Sequence, residues 1–278
     1  MGAVANREAG QYREGLFQLG NEEKYKLSRI EETCFHVCWA LVEQVRSGEI
    51  IQSRYEEPFG KKHELPPITV NCGSQTVQIE GIIDRFDRLK DDRVKIIDYK
   101  TGREIFDIKE ARGGYRLQLM LYLKAAQEEK RKPAGVFYFL IDEPKVDLTD
   151  TEKDKVFEKI SKEMRKSFRL NGIMVEDPAV IRGIAGEFDG YSDILPLRNT
   201  KDGIKATSEN FLLSEEDFLK LQTEMDRQIE KLCGELLSGR IAIHPKKTEK
   251  TSPCVYCQFK SICRFDTAFE GCNYEVIS

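Results

Sequence analysis

The chain has 278 residues, 40% hydrophobic and 33% charged, and a net charge of −4 at pH 7. This is an ordinary globular composition with material for a proper core. No apolar run approaches the ~20 residues of a membrane span and no signal peptide opens the chain, so a cytoplasmic protein with no membrane partner is expected. The acidic balance removes any global basic footprint for nucleic acid but leaves local patches open. Lys61-Lys62, Lys130-Arg131-Lys132 and Lys246 to Lys250 are such clusters, each read first as solvated surface.

The opening "MGAVANREAG" carries no fold signal. From Asn21 to Arg46, Tyr25, Leu27, Ile30, Cys34, Val37, Leu41 and Val45 recur at steps of mostly three and four, which predicts a helix that Gly48 ends. Residues 50–59 look extended. "ITVNCGSQTVQIEGIIDRFDRL" turns at Cys72-Gly73-Ser74 as a hairpin, and "RVKIIDYKTG" adds a strand, so residues 67–101 are expected to form one antiparallel meander.

After Gly113-Gly114, "YRLQLMLYLKAAQEEK" predicts a helix apolar on nearly every side, hence buried against a sheet. "AGVFYFLI" reads as a central strand. "TEKDKVFEKISKEMRKSF" is an amphipathic helix, and the stretch around "GIAGEFDGYSDILPLRNTKDG" reads as loops with a short hairpin. Ser214 starts a well-signalled helix, with Leu213 and Phe218 placed as a hydrophobic staple. Its stripe runs Phe218, Leu221, Met225, Ile229, Leu232, Leu236, and Gly239 ends it. The expected class is α/β, with a mixed central sheet flanked by helices and a C-terminal cysteine-rich segment.

The informative residues sit in the apolar strands. Side chains alternate faces along a strand, so Asp98 and Lys100 share a face with Val94 and Ile96, and Ile97 and Tyr99 take the other. Glu80, Ile82 and Asp84 share a face on the preceding strand, and pairing through the Lys90-Asp91-Asp92 turn brings Asp84 towards Asp98. Two neighbouring carboxylates repel and are hard to desolvate, problems that a divalent cation removes. Hard oxygen ligands suit magnesium or manganese, and a lysine one face-step away can stabilise developing negative charge. The competing reading pairs Asp84 with Arg85 or Arg88, and Asp98 with Lys100, on a solvated sheet end. Gln118 lies in the apolar helix and needs hydrogen-bond partners if buried, with Tyr122 four residues on along the same face.

"GIIDRFDRL", "IIDYKTG" and "LQLMLY" resemble the motifs of the RecB-like branch of PD-(D/E)xK nucleases. The resemblance implies a restriction-endonuclease-like core and metal-dependent hydrolysis of DNA. By position it implies metal ligation by Asp84, Asp98 and the backbone carbonyl of Tyr99. Lys100 would be the catalytic lysine, with Gln118 and Tyr122 as positioning residues.

Of eight cysteines, five (Cys34, Cys38, Cys72, Cys233, Cys272) are scattered, and Cys34 and Cys38 look like core residues of the first helix. Cys254, Cys257 and Cys263 form a C-x2-C-x5-C tail, a metal–thiolate pattern for which zinc is the default and iron–sulfur second. The tail resembles that of the B subunits of bacterial AddAB-type helicase–nucleases, which implies a [4Fe–4S] cluster completed by an upstream cysteine. That resemblance covers roughly residues 20–275. No cysteine here matches the upstream one, although Cys34, Cys38 or Cys272 could supply the fourth ligand. His36 does not match the family's helix histidine. A C-terminal piece of a larger subunit is therefore expected.

The resulting organisation is a helical segment (1–49), a nuclease core (50–145), a helical and loop extension (146–240) and a cysteine-rich staple (241–278). The expected function is a DNA exonuclease acting on single-stranded or duplex-end DNA, partnered by a helicase–nuclease A subunit in double-strand break processing and recombinational repair. No Walker A motif is present, so the chain is not the ATP-driven motor. The alternative is a non-catalytic DNA-binding or scaffolding module stapled by a zinc or iron–sulfur site.

Overall fold

The computed structural model describes residues 2–12, 20–102, 104–127, 131–142, 144–248 and 252–277. Lys130 and Lys250 of the basic clusters lie outside them, as do residues 128–130 at the end of the expected apolar helix. In chain order the elements are α1 (Gly2–Gln11), α2 (Asn21–Ser47), β1 (Ile50–Phe59), β2 (Ile68–Cys72), β3 (Gln75–Ile79), β4 (Gly81–Leu89) and β5 (Val94–Lys100). Next come α3 (Ile108–Arg112), α4 (Gln118–Gln127), β6 (Pro133–Leu140), α5 (Val156–Ser167), β7 (Asn171–Val175) and α6 (Pro178–Ala185). The chain continues through β8 (Leu197–Thr200), β9 (Gly203–Ala206), β10 (Leu212–Leu213), α7 (Glu215–Leu237), β11 (Lys246–Lys247), α8 (Lys260–Cys263) and β12 (Glu275–Val276).

Six strands form a mixed sheet in the order β1-β4-β5-β6-β7-β10, with β5 and β6 parallel. This is the mixed sheet flanked by helices that the sequence predicts. Residues 67–101 are not one meander, however. β2 and β3 form a separate two-stranded sheet, and β1 takes the place beside β4. Only Glu80 separates β3 from β4, whereas a hairpin needs about two residues to reverse direction. The ribbon therefore runs straight on.

Two apolar cores lie on opposite faces of the sheet. Val94, Ile96, Leu119, Leu123, Val136 and Phe218 belong to the first, under α4 and α7. Ile97, Phe137, Phe139, Ile184 and Leu195 belong to the second, with α2 and α6. Gly172 shows how closely the central strands approach, because a Cβ there would lie 2.0 Å from the carbonyl oxygen of Val136. Among the described residues no helix is long and apolar enough to cross a membrane.

Several expectations change. Gly2–Gly10 of the opening stretch do fold, as part of α1: alanines and straight-chain residues with no proline suit a helix, and α1 docks on α2 through Asn6 Nδ2, which donates to Glu31 Oε1 at 2.8 Å. The stripe of α2 is largely exposed at Tyr25, Ile30 and Val45, and the helix is buried only at Val37, Ala40 and Gln44. Cys34 is half-buried and Cys38 exposed, so neither is a core residue. On α7, Phe218, Leu221, Met225 and Ile229 are buried as expected, but Leu232 and Leu236 are exposed and Cys233 turns inward. The Ser214 cap is present, its hydroxyl accepting from the Asp217 N–H at 3.0 Å. Residues 178–185 form α6, capped by the Asp177 carboxylate, so Gly183-Ile184-Ala185 at the head of the expected loop stretch are helical.

Candidate active site

The antiparallel ladder of β4 and β5 pairs Arg85 with Ile97 and Phe86 with Ile96. One step further along that register sets Asp84 opposite Asp98, at the end of β5. Asp84 Oδ2 accepts the main-chain N–H of Tyr99 at 3.0 Å, which ties the two strand ends together. Asp84 therefore does not pair with Arg85 or Arg88: Arg85 turns to Asp87, and Arg88 lies 3.8 Å from Asp92.

Asp98 is 1% exposed. Burial pushes its carboxyl above the usual range; the Lys100 ammonium, 2.7 Å from Oδ2, opposes this, and the carboxylates of Asp84 and Glu104 reinforce it. The Asp98–Lys100 contact of the competing reading is thus present, but on a buried carboxylate rather than a solvated sheet end. Lys100 Nζ also donates to Gln118 Oε1 at 3.0 Å, and Gln118 Nε2 donates to the Tyr122 hydroxyl at 2.7 Å. Gln118 opens α4 rather than lying inside it, because Arg116 just before has φ 56°, outside the helical region. Burial raises the Tyr122 phenol, and Asp84, Asp98 and Glu56 add to the rise. The structure thus brings Asp84, Asp98, Tyr99, Lys100, Gln118 and Tyr122 together.

Three neighbours escape sequence reasoning. Glu56 lies between the pairs Tyr55–Arg85 and Glu57–Ile83, level with Asp84, and has a left-handed φ of 50°. Such a conformation in a strand is strained for a residue other than glycine. Glu104 acts on Asp98 from the loop after β5 and lies 3.6 Å from Arg116. Tyr138 on β6 places its ring centroid 5.4 Å from Lys100 Nζ. The left-handed glutamate in "YEEPFG" has no local signal, since its place depends on β1 pairing with β4.

The donor set fits a hard divalent cation in part. Asp84 and Asp98 offer carboxylate oxygens on adjacent strands, and the Tyr99 carbonyl is the remaining backbone donor at that point. Cys254, Cys257 and Cys263 line one cavity of about 250 Å³ with Phe265 and Tyr274, apart from these acids. Cys34, Cys38 and Cys272 do not line it. Among the described residues, no three His, Cys, Asp or Glu side chains are gathered closely enough to hold a metal ion. The tail is anchored at the end of α3, where Lys246 Nζ donates to the Gly113 carbonyl.

A profile of the PD-(D/E)XK nuclease superfamily matches residues 3–264. Among curated proteins, the chain is 32% identical over 278 residues to the B subunit of an ATP-dependent helicase/deoxyribonuclease from Alkaliphilus metalliredigens, covering 96% of this chain and 24% of that protein. It is 37% identical over 253 residues to the protein so named in Clostridium acetobutylicum, covering 85% and 21%. The chain thus spans about a quarter of the length of the curated relatives it matches.

Proposed function

The chain belongs to the PD-(D/E)XK nuclease superfamily, and from that membership we propose that it is the metal-dependent deoxyribonuclease portion of a helicase–nuclease. The observation that carries this reading is the connected row Asp98–Lys100–Gln118–Tyr122 beside Asp84. A structural ion pair has no need of a second carboxylate opposite the first.

In this reading Asp84, Asp98 and the Tyr99 carbonyl hold a magnesium or manganese ion. The ion would neutralise the phosphate and polarise the scissile bond. Lys100 donates to a non-bridging phosphate oxygen as negative charge grows there. Gln118 fixes the direction of the ammonium, and Tyr122 fixes Gln118 by accepting from its amide. The substrate is single-stranded or duplex-end DNA. The partner is the A subunit of the helicase–nuclease, and the setting is double-strand break processing and recombinational repair. The names of the relatives, B subunits of ATP-dependent helicase/deoxyribonucleases, support the deoxyribonuclease and helicase parts of this reading.

For the tail we infer an iron–sulfur site. The three thiols line one cavity, and to hold a [4Fe–4S] cluster they would have to draw closer together and take a fourth ligand from elsewhere. Absorbance and EPR of anaerobically purified protein test it, with loss of the signal in Cys257→Ser expected.

The deciding experiment is cleavage of end-labelled single-stranded DNA with magnesium, manganese or EDTA, beside Asp98→Ala and Lys100→Ala. We expect metal-dependent cutting by the parent only. Metal binding, followed by manganese EPR, should be lost in Asp98→Ala and kept in Lys100→Ala. Full activity in Lys100→Ala would overturn the assigned roles.

A further inference from the structure

On the sheet face away from Asp98, a cavity of about 370 Å³ opens between α2, the end of α5 and residues 185–194. Its walls include Ala40, Phe168, Ala185 and Ile194 of the second core. Gln44 also lines it and is 2% exposed, yet neither its Oε1 nor its Nε2 has a hydrogen-bond partner. Buried amides are ordinarily paired, so this one points to a partner that the chain itself does not supply. Its complement is a planar group that donates and accepts side by side, such as a peptide unit or a base edge.

Charge separates these two. Glu43, Glu187, Asp189 and Asp193 line the cavity, against Arg165 alone. Arg165 is spent on Asp193, at 3.3 Å, and lies 5.9 Å from the Trp39 ring centroid. Arg46 and Arg182 approach Glu43 and Glu187 at 3.8 and 3.5 Å. Asp189 has no cation partner among the described residues. A nucleotide would bring its phosphate against the unpaired carboxylate of Asp189, whereas a guanidinium would pair with it. Trp39 is 38% exposed and offers ring surface for a planar cation.

We propose that this cavity docks an arginine-bearing segment of a protein partner. Gln44 pairs with a peptide unit of the segment, Asp189 receives the guanidinium, and Trp39 stacks against it. The site lies on the opposite face of the sheet from Asp84 and Asp98, so docking leaves the acidic site open.

Trp39 is the single tryptophan of the chain, so its fluorescence reports on this cavity alone. The probes are N-acetyl-arginine methylamide, N-acetyl-alanine methylamide and deoxyadenosine monophosphate. We expect a saturable fluorescence change with the arginine probe and at least tenfold weaker response to the other two. Asp189→Asn, on an exposed loop, and Gln44→Leu should each weaken arginine binding about fivefold or more, with melting curves recorded to show that both fold. No saturable change with arginine, equal binding of the alanine analogue, or tighter binding of the nucleotide would each overturn the proposal.

Discussion

The strands β4 and β5 carry two charged clusters on opposite faces. On one face Arg85, Asp87 and Lys95 are fully buried. Arg85 Nε donates to Asp87 Oδ1 at 2.9 Å, and Lys95 Nζ lies 2.8 Å from Asp87 Oδ2. On the other face, Asp84, Asp98 and Lys100 stand at the end of β5, with Lys100 partly open to solvent. The first cluster places one acid between two bases, and every charge ends on another within the protein. The second places one base beside two acids and leaves net negative charge at the end of β5. Buried charge alone therefore does not mark a functional site. In the proposed reading, the second cluster differs by a local excess of negative charge that a bound cation would cancel.

The comparison can be broken by mutation. The largest effect is expected at the open cluster, where Lys100→Ala should lower DNA cleavage by about 10³-fold, the scale of losing one donor to developing charge, while unfolding curves stay close to the parent's. At the closed cluster, Asp87→Ala should do the reverse. Leaving two buried cations unpaired costs about 3–5 kcal/mol, measured by urea unfolding, and manganese affinity per folded molecule should not change. Burial raises the Asp87 carboxyl, but Lys95 and Arg85 together hold it below the ordinary range. Its stabilising contribution is therefore full above the unfolded value of about 4 and is lost as pH falls through the folded one. The parent should show an acid unfolding step in that window that Asp87→Asn lacks.

A smaller effect is expected at Gln118→Ala, about 10–100-fold in cleavage rate, as for other groups that orient a ligand or catalytic side chain. The smallest change is one of stability and has the opposite sign. Because the Asp98 carboxyl is raised, its ionised form opposes folding at neutral pH. In EDTA, Asp98→Asn should raise the melting temperature near pH 7, and the gain should vanish as pH falls towards about 4. A loss of stability at pH 7 would mean that the Lys100 contact outweighs the repulsion.

Much of this was legible because it rests on short-range periodicity. Period two put Asp98 and Lys100 on one face, and the four-residue step aligned Gln118 with Tyr122. What escaped depends on pairings between distant segments. Glu56 reaches the site only because β1 displaces β3 as the neighbour of β4. The Arg85–Asp87–Lys95 set reads in sequence as charge near a turn, and the second core that encloses it comes from segments as far away as α6. The cysteine spacing announced a shared metal site; the three thiols line one cavity, but among the described residues they are not gathered closely enough to hold an ion. Spacing carries no information on how far a four-residue helix, α8, turns its thiol from the others.

The single residue between β3 and β4 has a consequence for how this molecule can vary in length. Glu80 joins two strands with no turn to absorb a change. One residue inserted between Ile79 and Asp84 would re-index the faces, carrying Asp84 towards the second core and Arg85 towards the site. Insertions should therefore be excluded from that ribbon and tolerated in the exposed connection after β6. A library of one-residue insertions, scored for folded yield and metal-dependent DNA cleavage, would trace the boundary between them.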